Sequence, residues 1–131
     1  MAPSLLAHVV LTSPASTENC TTEALAYILG NYKAAADSFE RMLQGTGLPI
    51  PNDLRYQTQR DLQVGGTPDI YCSDGAGIPR LLIENKFDAE LTKHQPDSYL
   101  EAGAYSQALI VLLLVPEHRA RTIWGDRKSV V

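Results

Sequence analysis

Between residues 16 and 44, apolar side chains return at every third or fourth position: Leu25, Ile28, Tyr32, Ala35, Ala36, Phe39 and Leu43. That period predicts one long amphipathic helix over Ser16 to Gln44. Gly45 supplies a left-handed residue to end it. A loop with Gly47, Pro49 and Pro51 follows, and then the period falls to two. Over Leu54 to Val64, Tyr56, Thr58, Arg60, Leu62 and Val64 alternate with Arg55, Gln57, Gln59, Asp61 and Gln63, a strand with one polar face near a sheet edge. Gly65-Gly66 reads as a two-residue hairpin turn. Pro68 to Cys72 and Ile78 to Phe87 predict two further strands around a turn at Ser73-Asp74-Gly75-Ala76-Gly77.

Thr92-Lys93-His94-Gln95 has the form of a capping box, so a second helix is expected from there to about Gly103. Ala108 to Val115 is apolar throughout and predicts a central strand covered on both faces. The order is helix, three strands, helix, strand. The strands before and after the second helix can pair in parallel across a right-handed crossover. The expected fold class is therefore α/β, with a mixed sheet flanked by helices.

Composition changes this picture little. At 131 residues the chain has the size of one domain, and a trimmed domain of a longer protein is also expected from its open-ended tail. The net charge of −4 gives no global signal for nucleic acid. A basic tail with Arg119, Arg121, Arg127, Lys128 and Trp124 could touch nucleic acid or simply be a solvated terminus. Cys20 and Cys72 have no metal-like spacing and read as reduced, packed thiols of a cytoplasmic protein. Met1 to Leu11 lacks a basic start, so no signal peptide is expected. Ala108 to Val115 is too short to span a membrane.

Chemistry concentrates at the strand ends. Asp69 opens one strand, and Glu84 and Lys86 close the next. Alternation puts Glu84, Lys86 and Leu82 on one face, with Leu81, Ile83 and Asn85 on the other. If the hairpin brings Asp69 beside Glu84, two carboxylates and an ammonium converge, and two acidic oxygen ligands suit a hard divalent cation such as Mg2+. The plainer alternative is a turn-capping Asp69 with a strand-end ion pair of Glu84 and Lys86. On the first helix, Glu18 lies two turns before Leu25, within roughly 45° of the apolar stripe. Glu23 falls nearly opposite and reads as a solvated surface charge. Glu18 is thus either a site carboxylate or an acid complementing the helix dipole.

Pro68-Asp69, followed after an apolar strand by Glu84-Asn85-Lys86, resembles the PD-(D/E)XK nuclease superfamily. The longer run Leu82 to Gln95, with Gly66 to Ile70 before it and Tyr99 to Ala102 after it, is similar to bacterial nuclease-like proteins of that group. Glu18-Asn19 and Thr22 also match, and the similarity covers most of residues 16 to 115. The resemblance implies a restriction-endonuclease-like αβββαβ core. It implies Mg2+ or Mn2+ held by Asp69 and Glu84, with the Asn85 carbonyl as a further ligand and Glu18 completing the site. Lys86 would orient or deprotonate the attacking water, and Gln95 and Tyr99 would support the site or meet the phosphate. The implied activity is DNA phosphodiester hydrolysis, with a homodimer or an additional domain or subunit helping to hold the substrate. An inactive binding or scaffold domain of the same fold is the alternative.

Overall fold

The computed structural model describes residues 4–5, 17–60, 62, 66–85, 109–115 and 117, with the side chains of Thr17 and Glu18 outside that set. It is an α/β arrangement of two helices and a four-stranded mixed sheet. The predicted helix over 92–103, residues 1–3 and 6–16 and the basic tail after Glu117 lie outside the described residues, and the crossover's handedness with them.

The long first helix is in fact two. Helix α1 spans Thr17–Asn31 and α2 spans Lys33–Gly45. Tyr32 between them is extended, at φ −121 and ψ 100. The break follows from Gly30-Asn31. Glycine is a poor helix former. The Asn31 side chain donates to the Tyr27 carbonyl at 2.9 Å, competing with the backbone for that acceptor. Helix α2 then runs through Gly45, and the left-handed position belongs to Gly47, at φ +90, two residues later than expected. Thr46 secures the end by donating its hydroxyl to Leu43 O at 2.6 Å.

Strands β1 (Arg55–Thr58), β2 (Ile70–Ser73), β3 (Pro79–Asn85) and β4 (Ile110–Leu114) lie in sheet order β1-β2-β3-β4. The first two pairings are antiparallel and β3 with β4 is parallel, the pairing expected of the strands flanking residues 92–103. In β1, Arg55 and Gln57 are exposed while Tyr56 and Thr58 are half-buried, as an edge strand with one polar face requires. The strand is shorter than its alternating pattern, because the chain turns at Gln59. Gly65-Gly66 is consequently not a two-residue hairpin. The β1–β2 connection runs from Gln59 to Asp69, with Leu62 N–H bonded to Gly66 O at 3.0 Å.

The apolar run 108–115 is not central among the described strands. It forms β4, the outermost of the four beside β3, and its residues are half-buried. The fully covered strands are β2 and the second half of β3. Ile70, Cys72, Leu81 and Ile83 pack with Leu43, Ile50 and Leu54 against the helices, joined by Leu25, Ala26 and Phe39. Tyr71 and Leu82 face the other way, against Leu62, Leu109 and Val111. Burying each large aliphatic of the first cluster stabilises by about 1.5–3 kcal/mol.

Two polar groups shape this frame. Asp74 closes the β2–β3 turn: its carboxylate accepts from Ala76 N–H and Ile78 N–H at 2.9 and 3.0 Å and from Arg80 Nε at 2.9 Å. The Ile78 amide above all, and then Arg80, hold that carboxyl below the usual range. Glu40, 1% exposed, accepts from Asp53 N–H, Leu54 N–H and the Tyr56 hydroxyl at 2.9, 3.4 and 2.7 Å, tying α2 to the entry of β1. Burial, followed by that bond, pushes the Tyr56 hydroxyl far above its ordinary value. Burial likewise raises the Cys72 thiol, with the Glu40 carboxylate adding to it.

Candidate functional site

The β2–β3 register pairs Ile70 with Ile83, so one step further Asp69 stands opposite Glu84. The two residues clasp each other's strands. Asn85 N–H donates to Asp69 Oδ2 at 2.7 Å, and Asp69 N–H donates to Glu84 Oε2 at 3.2 Å. Glu84 is 5% exposed, at the carboxyl ends of the parallel pair β3 and β4. Ligands of open α/β sheets bind outside those ends. The convergence of Asp69 and Glu84 is therefore as the alternation and turn spacing anticipated. Lys86, Gln95 and Tyr99 lie outside the described residues.

Asn85 takes the opposite face, as strand alternation demands. Its Nδ2 donates to the Thr22 hydroxyl at 2.6 Å, bridging the end of β3 to α1. Asn85 is 1% exposed, and its Oδ1 has no hydrogen-bond partner among the described residues. A buried amide in that state costs free energy, which marks the strand end as a place where stability yields to something else.

Helix α1 overturns one reading. Glu23 is not a solvated surface charge; it is 8% exposed. The phase was reckoned from Leu25, which is itself only half-buried, and α1 is covered on the side away from Leu25 as well. Within α1 itself the buried residues are Thr22, Glu23, Tyr27 and Leu29, with Leu25 and Ala26 half-buried. Glu23 and Tyr27 are one turn apart on that surface. Glu18 lies in the same helix, its side chain outside the described set.

Glu23 and Asp69 line one cleft of about 420 Å³, with Asn19, Thr22, Gln59, Thr67 and Pro68. Its walls are α1 and the β1–β2 connection. Gln59 enters it from a left-handed backbone, φ 61, a conformation that costs a non-glycine residue about 1 kcal/mol or more. Gln59 carried no motif, so nothing in its spacing announced it, and Thr67 stood in the run Gly66 to Ile70 without a role assigned to it.

The donor set fits a hard divalent cation in part. Asp69 and Glu84 offer carboxylate oxygens at neighbouring strand ends, and Glu23 faces the same cleft as Asp69. Among the described residues, no three His, Cys, Asp or Glu side chains gather closely enough to hold a metal by themselves. Also among them, no helix is long and apolar enough to cross a membrane. No family model, curated protein or solved structure matches the chain.

Proposed function

We propose that this chain is a metal-dependent nuclease that hydrolyses DNA phosphodiester bonds, in a bacterial or phage defence or repair setting. The observation that carries the reading is the meeting of Asp69 and Glu84 across the ends of β2 and β3, beside a cleft whose other wall presents Glu23. The resemblance of Pro68-Asp69 and Glu84-Asn85-Lys86 to the PD-(D/E)XK motif supports it, and the α/β frame with its mixed sheet is compatible with the restriction-endonuclease-like core that we propose. Asp69, Glu84 and the Asn85 carbonyl would hold Mg2+ or Mn2+. When bound, such an ion polarises a phosphoryl oxygen and acidifies water. Lys86 follows Asn85 directly and is assigned to the attacking water, as base or as a fixed positive charge. Gln95 and Tyr99 are assigned to the phosphate. Glu23 joins Glu18 as a candidate for the helix carboxylate, since it lines the cleft. The two free cysteines fit a reducing, cytoplasmic compartment. Cutting both strands of a duplex calls for a second copy or a further domain.

The test is nicking of supercoiled plasmid with Mg2+ or Mn2+ by the native chain and by Lys86→Ala, Glu18→Gln and Glu23→Gln. Metal-dependent nicking lost in Lys86→Ala supports the proposal. No nicking by the native chain, or equal nicking by Lys86→Ala, refutes it. Of the two glutamines, the one that abolishes nicking identifies the helix carboxylate. A second reading, a binding or scaffold domain, draws on the same pair of hydrogen bonds. Asp69 and Glu84 each satisfy a backbone N–H of the facing strand, a role that needs no catalysis. Calorimetry with Mn2+ separates them, because a scaffold shows no heat that depends on Asp69 and Glu84.

A further inference from the structure

The guanidinium of Arg60 lies over the ring of Tyr71, 5.0 Å from its centroid. Tyr71 pairs with Leu82, and Leu82 shares a face of β3 with Glu84, two residues on. Arg60 therefore stands on the Glu84 face of the sheet, over a tyrosine that lies about 7 Å along its strand from Asp69. Its neighbour Gln59 lines the cleft on the Glu23 side. The left-handed turn at Gln59 thus sends two adjacent side chains to either side of the Asp69 strand end. Strain of that kind, held beside a candidate site, points to function.

The other described cations differ: Arg41 and Arg55 are exposed and have neither an ion pair nor a ring contact among the described residues. Lys33 is paired with Asp37 and Asp53, and Arg80 with Asp74. Arg60 is exposed, is held in orientation by an aromatic ring, and has no carboxylate partner among the described residues. A planar guanidinium fixed by stacking, with its edge donors open to solvent, suits bidentate contact with a phosphate. A cleft lined by Glu23 and Asp69, with Glu84 beside Asp69, repels a polyanion unless a cation lies within reach of the neighbouring phosphate.

We propose that Arg60 binds the backbone phosphate adjoining the scissile one, with Tyr71 as its platform. The inference rests on the nuclease reading and names a substrate contact for it. The ligand is a phosphodiester backbone, and DNA and RNA oligonucleotides are the two arms of the test.

Fluorescence anisotropy measures binding of labelled 20-nucleotide DNA and RNA to the Asp69→Asn chain in Ca2+, which prevents turnover, across a salt series. Arg60→Ala added to that background is expected to weaken binding about 10-fold, and to reduce the slope of log K against log salt by about 1, the contribution of one phosphate contact. Arg60→Lys keeps the slope and loses part of the affinity. A purely structural arginine would leave the slope unchanged. In the cleavage assay, Arg60→Ala raises KM with little change in kcat. Binding and slope unaltered by Arg60→Ala overturn the inference while the nuclease reading stands. If the chain neither binds either oligonucleotide nor nicks plasmid, the nuclease reading fails and Arg60's role fails with it.

Discussion

Replacing Asp69 by alanine and by asparagine separates its structural role from its proposed chemical one. The side chain accepts a hydrogen bond from Asn85 N–H at 2.7 Å. Asn85 is 1% exposed, so water has little access to replace a lost acceptor. Asp69→Ala leaves that N–H buried and unpaired, at a cost of about 1–3 kcal/mol. The backbone bond from Asp69 N–H to Glu84 survives either substitution, so the comparison bears on the side chain alone. Asp69→Asn keeps an amide oxygen as acceptor. It gives up charge assistance, and it also removes one of two neighbouring negative charges. The net loss should stay under about 1 kcal/mol. Urea unfolding reads both values. Repeating it in Mn2+ adds the second dimension. At 100 times Kd, a metal bound only by the folded state raises stability by about 2.7 kcal/mol. The native chain should gain this and Asp69→Asn should not. If Asp69→Ala proves as stable as Asp69→Asn, the clasp between β2 and β3 contributes nothing and the stability argument is wrong. If Mn2+ stabilises Asp69→Asn as much as the native chain, this carboxylate does not hold the ion.

Other outcomes follow from the buried polar groups. Thr22→Val removes the acceptor of Asn85 Nδ2 and should cost about 1–3 kcal/mol, whereas Thr22→Val with Asn85→Leu should recover much of it. A double-mutant cycle in urea without coupling would count against the bridge. Glu40→Ala strands two backbone N–H groups and the Tyr56 hydroxyl, and should lose about 3 kcal/mol or more. Tyr56→Phe loses a single bond and about 1.5 kcal/mol. The reverse order in thermal melts would refute the assignment. Tyr56 holds its proton more tightly folded than unfolded, so its contribution is complete below the ordinary tyrosine value of 10.0 and declines as pH rises beyond it. Tyr56→Phe should therefore show a shallower alkaline loss of stability, and ultraviolet titration should show one tyrosine that ionises only on unfolding.

Much of this was legible along the chain, and the reasons are local. Strand alternation is strict, so Leu81 and Ile83 facing the helices with Asn85, and Leu82 facing away with Glu84, could be assigned from position alone. The turn at Asp74 to Gly77 carries its own chemistry, and it sets the register that brings Asp69 to Glu84. Parallel pairing of β3 and β4 followed from the helical pattern between them.

What tertiary structure decided were the features that depend on where one element meets another. Glu23 lies opposite Leu25 on α1, and only the covering of that side by the β1–β2 connection turned it from a surface charge into a wall of the cleft. Gln59 and Arg60 sit in an alternating run that predicts strand. Only the left-handed turn at Gln59 delivers them to the two sides of the site. Glu40 reads as an ordinary helix acid until Asp53, Leu54 and Tyr56 are folded onto it. In each case the deciding energy comes from a partner distant in the chain, and periodicity has no access to that.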